Sequence, residues 1–340
     1  MPARRTAPAV AKIGDVARVA GVSPATVSRV LNGTGTVSPA RADRVRAAAA
    51  DLGYQPFGPA RALRQQLTRV WAAIIADIEN PFSTTMVRGI EDVAVAEGYR
   101  LMLCNSDEDL DKERAYIDVA IAERMAGVVI AVSSATDSTL DALLDRNVPV
   151  VAVDRRPQRH ADTIDSVFVD NQLGARLATD HLIDVGAKRI ACITGPARVS
   201  TAAERLAGYR AALAGRRRKS DNDLVQRANF KQDGGYEATR TLLATKRNRP
   251  DALFVANNLM TLGALRAINE AGLRVPRDIA LVGFDDAPWT TLTSPPLTVV
   301  AQPTYEIGAE AARLLATAGG DAPARHVVLA PTLVVRGSTV

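Results

Sequence analysis

The chain shows two different hydrophobic patterns, and the change between them falls near residue 66. Between residues 13 and 54, apolar positions recur at helical spacing in three short segments. Beyond residue 66, short continuous apolar runs alternate with amphipathic segments, which is typical of parallel strands covered by helices on both faces. The pattern therefore predicts a small all-α module followed by a larger α/β domain.

The N-terminal pattern predicts a helix-turn-helix. Apolar residues recur at helical spacing from Ile13 to Ala20, and Gly21 then breaks the pattern. Ser23 is a good N-cap, and Pro24 suits the first position of a second helix, where its missing N–H has no helical partner. A third amphipathic segment follows. Three short helices with a glycine-containing turn between the first two are the arrangement of a helix-turn-helix.

The second predicted helix carries side chains that suit DNA. Opposite its apolar face are Ala25, Thr26 and Arg29, and Pro24 and Ser28 belong to the same helix. The hydroxyl groups, with that of Ser23, would donate to phosphates, and Arg29 would reach a guanine edge. The small apolar groups would touch a thymine methyl. Periodicity alone also allows a three-helix cap whose arginines are merely solvated.

Charge favours the first of these two interpretations. Residues 1–64 hold ten basic and three acidic side chains, a net charge of +7, whereas residues 65–340 carry a net charge of −2. A local basic excess of this kind indicates a polyanion partner for the first module.

Eight apolar runs and six amphipathic segments define the α/β domain. The strand candidates are residues 70–76, 100–104, 127–132, 148–153, 167–169, 189–193, 252–256 and 279–284. The helix candidates are roughly residues 84–97, 109–124, 172–185, 201–214, 235–245 and 259–271. Because so many strands exceed one compact sheet, we expect two α/β lobes.

The turn-rich segments place the predicted boundaries. We expect crossovers at residues 155–165 and 294–303, and a last strand within 327–335. The lobes would then be about residues 67–156 plus 303–325, and 166–294 plus 326–340. The full division is a DNA-binding domain at 1–55, a hinge or linker at 56–66 and a two-lobed domain at 67–340.

Polar and aromatic residues lie where ligands bind in such folds, beyond the carboxyl ends of the strands. These candidates are Phe82, Asp154, Arg155, Arg205, Phe230, Asn257 and Asp285. Carboxylates, an amide, a guanidinium fork and flat apolar rings suit a polyol better than an apolar ligand. Taken singly, each Asp or Asn is equally well explained as a helix N-cap, and Arg155 as half of a solvated surface pair. A single Phe at a strand end is more often a core residue than a binding surface.

Enzyme chemistry has little support in the sequence. There is no phosphate-binding glycine loop and no Gly-x-Ser-x-Gly segment, and the three histidines have no metal-ligand spacing. We therefore expect no catalytic activity, cofactor or metal. The two cysteines are far apart in apolar runs, which predicts buried, reduced thiols.

A solute-binding protein is the more serious alternative, since a two-lobed ligand domain is similar to the periplasmic sugar-binding proteins. Export would need a signal segment, and the N-terminus has no apolar stretch of that kind. No run reaches the length of a membrane span. We expect a cytoplasmic protein without a membrane partner, although a solute-binding protein or a sugar-acting enzyme with an accessory helix-turn-helix remains the alternative.

The N-terminal segment resembles that of the LacI/GalR family of bacterial transcription regulators. The matching strings are Asp15-Val16-Ala17, Ala20-Gly21-Val22-Ser23, Thr26 to Asn32 and Leu52 to Pro56. Ala60-Arg61-Ala62-Leu63 is similar to the family's hinge, which folds on DNA and wedges a leucine into the minor groove. The resemblance implies DNA contacts by Asn32, Tyr54, Arg61 and Leu63, in addition to the residues of the second helix and its N-cap.

The resemblance extends along the ligand domain, through strings such as Asn80-Pro81-Phe82, Arg205-Leu206-Ala207-Gly208-Tyr209 and Val282-Gly283-Phe284-Asp285-Asp286. It implies that an effector, most often a sugar in this family, binds between the lobes. It also adds Thr201 to the effector candidates. The expected protein is a repressor whose affinity for palindromic operator DNA is set by this allosteric ligand. Since no apolar heptad tail follows Arg336, we expect a homodimer rather than a larger assembly.

Overall fold

The computed structural model describes residues 11–32, 36–54, 68–244, 249–318 and 323–340. The chain divides into two compact units, Met1–Thr68 and Arg69–Val340. The predicted hinge, residues 56–66, lies outside the described residues. Each unit is described by itself below.

The first unit is built from three helices around a small core. They are α1 (Ile13–Ala20), α2 (Pro24–Asn32) and α3 (Pro39–Asp51). The core contains Val16, Ala17, Ala20, Val27, Val45, Ala48 and Ala49, so the predicted apolar faces are the buried ones. Leu52, which the periodicity also assigns to the core, is 36% exposed because α3 has ended before it.

The second unit contains two six-stranded sheets, each the centre of one lobe. Sheet 1 has the strand order β11-β5-β4-β3-β1-β2, and all of its pairs are parallel. Its strands are β1 (Val70–Ile75), β2 (Arg100–Asn105), β3 (Gly127–Ile130), β4 (Val150–Val153), β5 (Asp165–Val169) and β11 (His326–Leu329). The helices of this lobe are α4 (Pro81–Ala96), α5 (Leu110–Ala122), α6 (Asp141–Leu144) and α11 (Thr304–Ala316).

Sheet 2 has the order β12-β10-β9-β8-β6-β7, and only its β10–β12 pair is antiparallel. Its strands are β6 (Ile190–Thr194), β7 (Val225–Arg227), β8 (Ala252–Val255), β9 (Ala280–Phe284), β10 (Thr298–Ala301) and β12 (Thr332–Val334). The helices are α7 (Asn171–Asp184), α8 (Ser200–Gly215), α9 (Gln232–Leu243) and α10 (Asn258–Glu270), with 3₁₀ turns at Asn222–Leu224 and Pro288–Thr291.

Sheet 1 is buried on both faces because its side chains alternate between two apolar clusters. In β1, Trp71 and Ala73 pack with α4 and α11, whereas Ala72 and Ile74 pack with α5. Gly89 of α4 and Gly308 of α11 allow these two helices to touch through their backbones. A Cβ on Gly308 would lie 1.9 Å from the Met86 carbonyl oxygen.

The lobe boundaries differ from those predicted, and three segments connect the lobes. Residues 155–165 are not a crossover, because β5 pairs with β4 in sheet 1. The chain crosses instead after Val169, after Ala301 and again between Leu329 and Thr332. The expected assignments of residues 166–169 and 326–329 to the second lobe are therefore wrong. A short apolar run does not specify which sheet it joins, since its strand pairing is long-range.

The C-terminal candidate 327–335 is two strands in different sheets, separated by Ala330 and Pro331. Proline has no N–H for a sheet ladder, which is a local reason for the break. The segment 294–303 contains β10, a strand that was not predicted. No helix among the described residues has both the length and the apolar character that crossing a bilayer requires.

Candidate functional site

The turn of the helical unit is fixed by its own sequence. Gly21 adopts the left-handed conformation with φ +65°, and the Val22 N–H donates to the Ala17 carbonyl oxygen at 3.0 Å. The Ser23 Oγ accepts a hydrogen bond from the Thr26 backbone N–H at 3.2 Å, as an N-cap does. Thr26 Oγ1 lies 3.0 Å from the same oxygen. The capping chemistry thus sets where α2 begins and which residues stand at its N-terminus.

Helix α2 presents the predicted DNA-reading residues away from the core. Ser23, Pro24, Ala25 and Arg29 are exposed, and Thr26 and Ser28 are half-buried. Asn32 is the last residue of α2, and Tyr54 packs against the helical core. Arg61 and Leu63 lie outside the described residues. The exposed face of α2 offers hydroxyl and small apolar groups from its N-terminal half and the Arg29 guanidinium from its last turn.

In the second unit, the carboxyl ends of strands from both sheets meet at one cleft. It has a volume of about 520 Å³, including open solvent at its mouth. All eight predicted effector residues line it: Phe82, Asp154, Arg155, Thr201, Arg205, Phe230, Asn257 and Asp285. Parallel strands end at the same edge of a sheet, so residues far apart in sequence converge there.

Three of these lining residues have unusual backbone conformations. Asp154, Phe230 and Asp285 have φ values of +60°, +62° and +77°, in the left-handed region that side chains disfavour. The ring of Phe230 also fills the space beside Gly195, where a Cβ would lie 2.2 Å from the ring. Such conformations concentrate at binding sites, where surrounding packing maintains them.

Arg205 is almost fully buried, and its guanidinium group contacts three other residues. Its Nε donates to Asn171 Oδ1 at 2.8 Å and its Nη1 to the Ala256 carbonyl oxygen at 2.6 Å. The guanidinium carbon lies 3.7 Å from the centre of the Phe284 ring. Nη2 has no hydrogen-bond partner among the described residues, so it is the donor left for a ligand in the cleft.

Asp154 offers the complementary acceptor. Its carboxylate accepts no hydrogen bond from any residue within the described ranges, and only an ion pair at 3.5 Å joins it to Arg155 Nε. Burial raises the pKa of this carboxyl, and the nearby guanidinium groups of Arg155 and Arg205 offset part of the effect. A largely desolvated carboxylate without donors is a strong acceptor for ligand hydroxyl groups.

Unlike Asp154, the side chains of Asn257 and Asp285 already have hydrogen-bond partners within the protein. Asn257 Oδ1 accepts from the Met260 N–H at 2.9 Å, and its amide donates to the Phe230 carbonyl oxygen at 2.9 Å. Asn257 is therefore the N-cap of α10 as well as a lining residue. Asp285 accepts from the side chains of Asn258 at 3.0 Å and Gln302 at 2.5 Å.

Arg155 is buried in the cleft rather than solvated. Its Nη1 and Nη2 atoms donate to both carboxylate oxygens of Glu108 at 2.7 and 2.6 Å. Its neighbour Arg156 points elsewhere and lies over the Phe168 ring, 4.3 Å from its centre. The sequence alone did not distinguish these two arginines.

Comparison with known proteins decides the family. Residues 12–56 match the model for bacterial regulatory proteins of the lacI family, and residues 179–339 match a periplasmic binding protein-like domain. The ribose operon repressor of Halalkalibacterium halodurans is 38% identical over 89% of this chain and 88% of its own length. The repressor PurR of Photobacterium profundum is 33% identical over 97% and 98%.

This chain belongs to the LacI family of transcriptional regulators. A lac repressor dimer bound to operator and the anti-inducer ONPF matches it with a TM-score of 0.83 at 28% identity, over 97% of this chain and 99% of that one. A complex of the regulator CelR with cellobiose has a TM-score of 0.74 at 34% identity, over 96% and 99%. The predicted recognition, fold class and regulatory function are confirmed. The LacI-family protein is a DNA-binding repressor under effector control, in a family of regulators rather than enzymes.

Several lining residues of this LacI-family protein were not predicted as ligands: Asp77, Asn80, Glu108 and Gln302. Gln302 directly follows a strand, as Asp154 does, whereas the other three lie two to five residues beyond the ends of β1 and β2. Gln302 was missed because β10 was not recognised. Glu108 was missed because two further residues separate it from the end of β2.

Polar contacts close the cleft from both lobes. Lys231 Nζ lies 2.8 Å from Asp77 Oδ2 and 3.1 Å from Asp107 Oδ1. The Asn258 amide donates to Asn80 Oδ1 at 2.8 Å. Since Lys231 and Asn258 belong to the second lobe and the acidic and amide partners to the first, these contacts stabilise the lobes in the arrangement described.

Proposed function

We propose that this LacI-family protein represses transcription as a homodimer on palindromic operator DNA, and that a small neutral sugar in the cleft controls its affinity. As a repressor of bacterial genes, it would act in the cytoplasm. The observation that carries the proposal is the pairing of a buried donor, Arg205, with two carboxylate acceptors in the same cleft, the buried Asp285 and the half-buried Asp154. Sugar hydroxyl groups both donate and accept, so they match such a set.

The aromatic residues favour a compact ring of this kind. Phe82 and Phe230 both line the cleft, and the exposed C–H face of a sugar packs well against a flat apolar ring. The H. halodurans relative is a ribose operon repressor, and CelR is described with cellobiose. Because one of the most similar relatives is a ribose operon repressor, ribose is the first compound to test.

For DNA recognition, we propose that α2 enters the major groove. Ser23, Thr26 and Ser28 would contact phosphates, and Pro24, Ala25 and Arg29 would contact bases. Asn32, Tyr54 and Arg61 would add backbone contacts, and Leu63 would wedge into the minor groove. Two copies related by a two-fold axis would read the two halves of a palindrome.

The edge of sheet 1 supports a dimer. Strand β2 pairs only with β1 among the described strands, and its Met102 and Leu103 are 36% and 39% exposed. Val95 of α4 and Val119 of α5 flank this edge and are also exposed. An unpaired edge bordered by apolar side chains is a site for association, and a second copy would cover it.

Linkage connects the two activities. A ligand that binds between the lobes changes their closure, and a change of closure in both protomers would alter the spacing of the two hinges. If the sugar lowers operator affinity by some factor, operator must lower sugar affinity by the same factor. We propose that the sugar is an inducer, so that its binding lowers operator affinity.

The test combines ligand discovery with DNA binding. The protein would be screened by thermal shift against neutral sugars, sugar acids, sugar phosphates and purine bases, and then titrated onto duplexes selected from a random pool. We expect a neutral monosaccharide, ribose first, to raise the melting temperature and to weaken binding to a palindromic duplex. Stabilisation by purine bases alone would reject the sugar effector while leaving DNA-binding activity in place.

A further inference from the structure

The backbone conformation around Glu108 places its carboxylate against Arg155 inside the cleft. Asp107 and Glu108 have φ values of +53° and +62°, two consecutive residues in the left-handed region. The Glu108 N–H donates to the Ala76 carbonyl oxygen at 3.1 Å, which ties the turn to the end of β1. This conformation directs the carboxylate into the cleft, where only 13% of the Glu108 side chain and 7% of the Arg155 side chain are exposed.

This pair uses the part of Arg155 that would otherwise bind an anion. A free guanidinium fork binds phosphate or carboxylate through two parallel N–H bonds. In this cleft, both terminal nitrogens of Arg155 already donate to Glu108, and Nη1 also donates to the Val132 carbonyl oxygen at 3.3 Å. Nε has no hydrogen-bond partner among the described residues, although Asp154 is 3.5 Å away.

The charges that face the cleft also disfavour an anionic ligand, because carboxylates outnumber guanidinium groups there. The described lining residues include four carboxylates, Asp77, Glu108, Asp154 and Asp285, and two guanidinium groups, Arg155 and Arg205. Lys231 compensates Asp77 from outside the lining. An anionic ligand would therefore meet an acidic excess in a setting where charges are weakly screened.

We propose that Glu108 determines the charge class of the effector: by occupying the Arg155 fork, it makes the cleft accept a neutral sugar and reject the phosphorylated form. This inference rests on the proposed sugar effector and adds the residue that selects among sugars. The Glu108–Arg155 ion pair then has no net charge, whereas without Glu108 the Arg155 guanidinium would be a phosphate-binding cation.

The decisive variants are Glu108→Gln and the double variant Glu108→Gln/Arg155→Met. The single change frees the fork and removes one negative charge, so we expect the ratio of the two dissociation constants, sugar phosphate over sugar, to fall by about ten-fold or more. The double change removes the anion-binding fork as well, so it should restore rejection of the phosphate. If Glu108 only braced the fold, the double variant would not restore the ratio. Asp111→Asn is the matched control, because Asp111 lies three residues after Glu108, at the second position of α5, and its side chain is 92% exposed.

Binding would be measured by calorimetry with ribose and ribose 5-phosphate, and with glucose and glucose 6-phosphate. The expected result is a wild-type protein that binds a neutral sugar, discriminates against its phosphate and loses discrimination only in Glu108→Gln. A wild-type preference for the phosphate, or an unchanged ratio in Glu108→Gln, would overturn the role of Glu108 while the sugar effector stands. No binding of any sugar in either form would overturn both proposals.

Discussion

Lys231 Nζ lies 2.8 Å from Asp77 Oδ2, and the two residues belong to different lobes of the ligand-binding unit. Asp77 is buried, whereas Lys231 is partly exposed. The contact therefore joins the lobes at the mouth of the cleft, where closure over an effector would take place.

The first prediction concerns this contact. Lys231→Met should weaken effector binding about five-fold, because this partly buried ion pair joins the two lobes beside the cleft and such a pair contributes about 1 kcal/mol. Lys112→Met is the matched control, since Lys112 also pairs with Asp107, at 3.3 Å, but within one lobe. Equal effector affinities for wild type and Lys231→Met, measured by calorimetry, would contradict a role of this ion pair in closure.

The second prediction concerns Asp154. Burial raises the pKa of its carboxyl, so ionisation of Asp154 costs stability, and that cost grows as pH rises above the unfolded pKa of about 3.9. Asp154→Asn should therefore raise the melting temperature of the free protein at neutral pH, with the gain disappearing in acid. The same variant should bind effector more weakly.

For Asp154, the control is Asp162→Asn, which changes an exposed carboxylate in the segment between β4 and β5. Melting curves between pH 4 and pH 8 would check the sign of the effect. A lower melting temperature of Asp154→Asn at neutral pH would show that the carboxylate stabilises the free protein.

The third prediction separates effector binding from DNA binding. Asp285→Asn keeps the shape of the side chain but places a donor against the Asn258 amide, which now donates to the carboxylate at 3.0 Å. We expect loss of the effector response with operator affinity unchanged within about two-fold. Asp286→Asn, at a neighbouring carboxylate that pairs with Arg336 instead, should keep the response. Loss of operator binding in Asp285→Asn, measured by anisotropy, would mean that Asp285 is structural.

Most of the lining residues that the sequence predicted follow apolar runs, because ligands bind beyond the carboxyl ends of parallel strands. Asp154 and Asp285 follow apolar runs directly, and parallel strands bring such positions together whatever their order in the chain. Glu108 and Lys231 could not be assigned in this way, because their roles depend on side chains 47 and 154 residues distant. The same limit applies to β5 and β11, whose apolar runs fit either sheet and are assigned only by strand pairing. Local signals predict an element, and long-range pairing decides its place.

The fourth prediction tests the proposed dimer. Met102→Glu places a charge on the unpaired edge of β2 and should convert the protein to a monomer in analytical ultracentrifugation. Val328→Glu is the matched control, because Val328 is 53% exposed on β11, the strand at the opposite edge of the same sheet. Dissociation by the control alone would place the interface at the other edge.

The fifth prediction tests sequence recognition by α2. Arg29→Ala should cost about 1–3 kcal/mol at one base pair of each half-site and relax the preference there. Arg44→Ala, on the exposed face of α3, should weaken binding to all duplexes alike or leave it unchanged. A panel of single-base operator variants at one fixed salt concentration would measure both effects. Unchanged discrimination in Arg29→Ala would remove Arg29 from base recognition.

The most direct test of effector control is a closed thermodynamic cycle with the sugar that stabilises the protein. Operator affinity would be measured with and without saturating sugar, and sugar affinity with and without saturating operator, at one salt concentration. We expect both affinities to fall by the same factor, about ten-fold or more, and Asp285→Asn to abolish the coupling. A sugar that binds the cleft and leaves operator affinity unchanged would contradict the account.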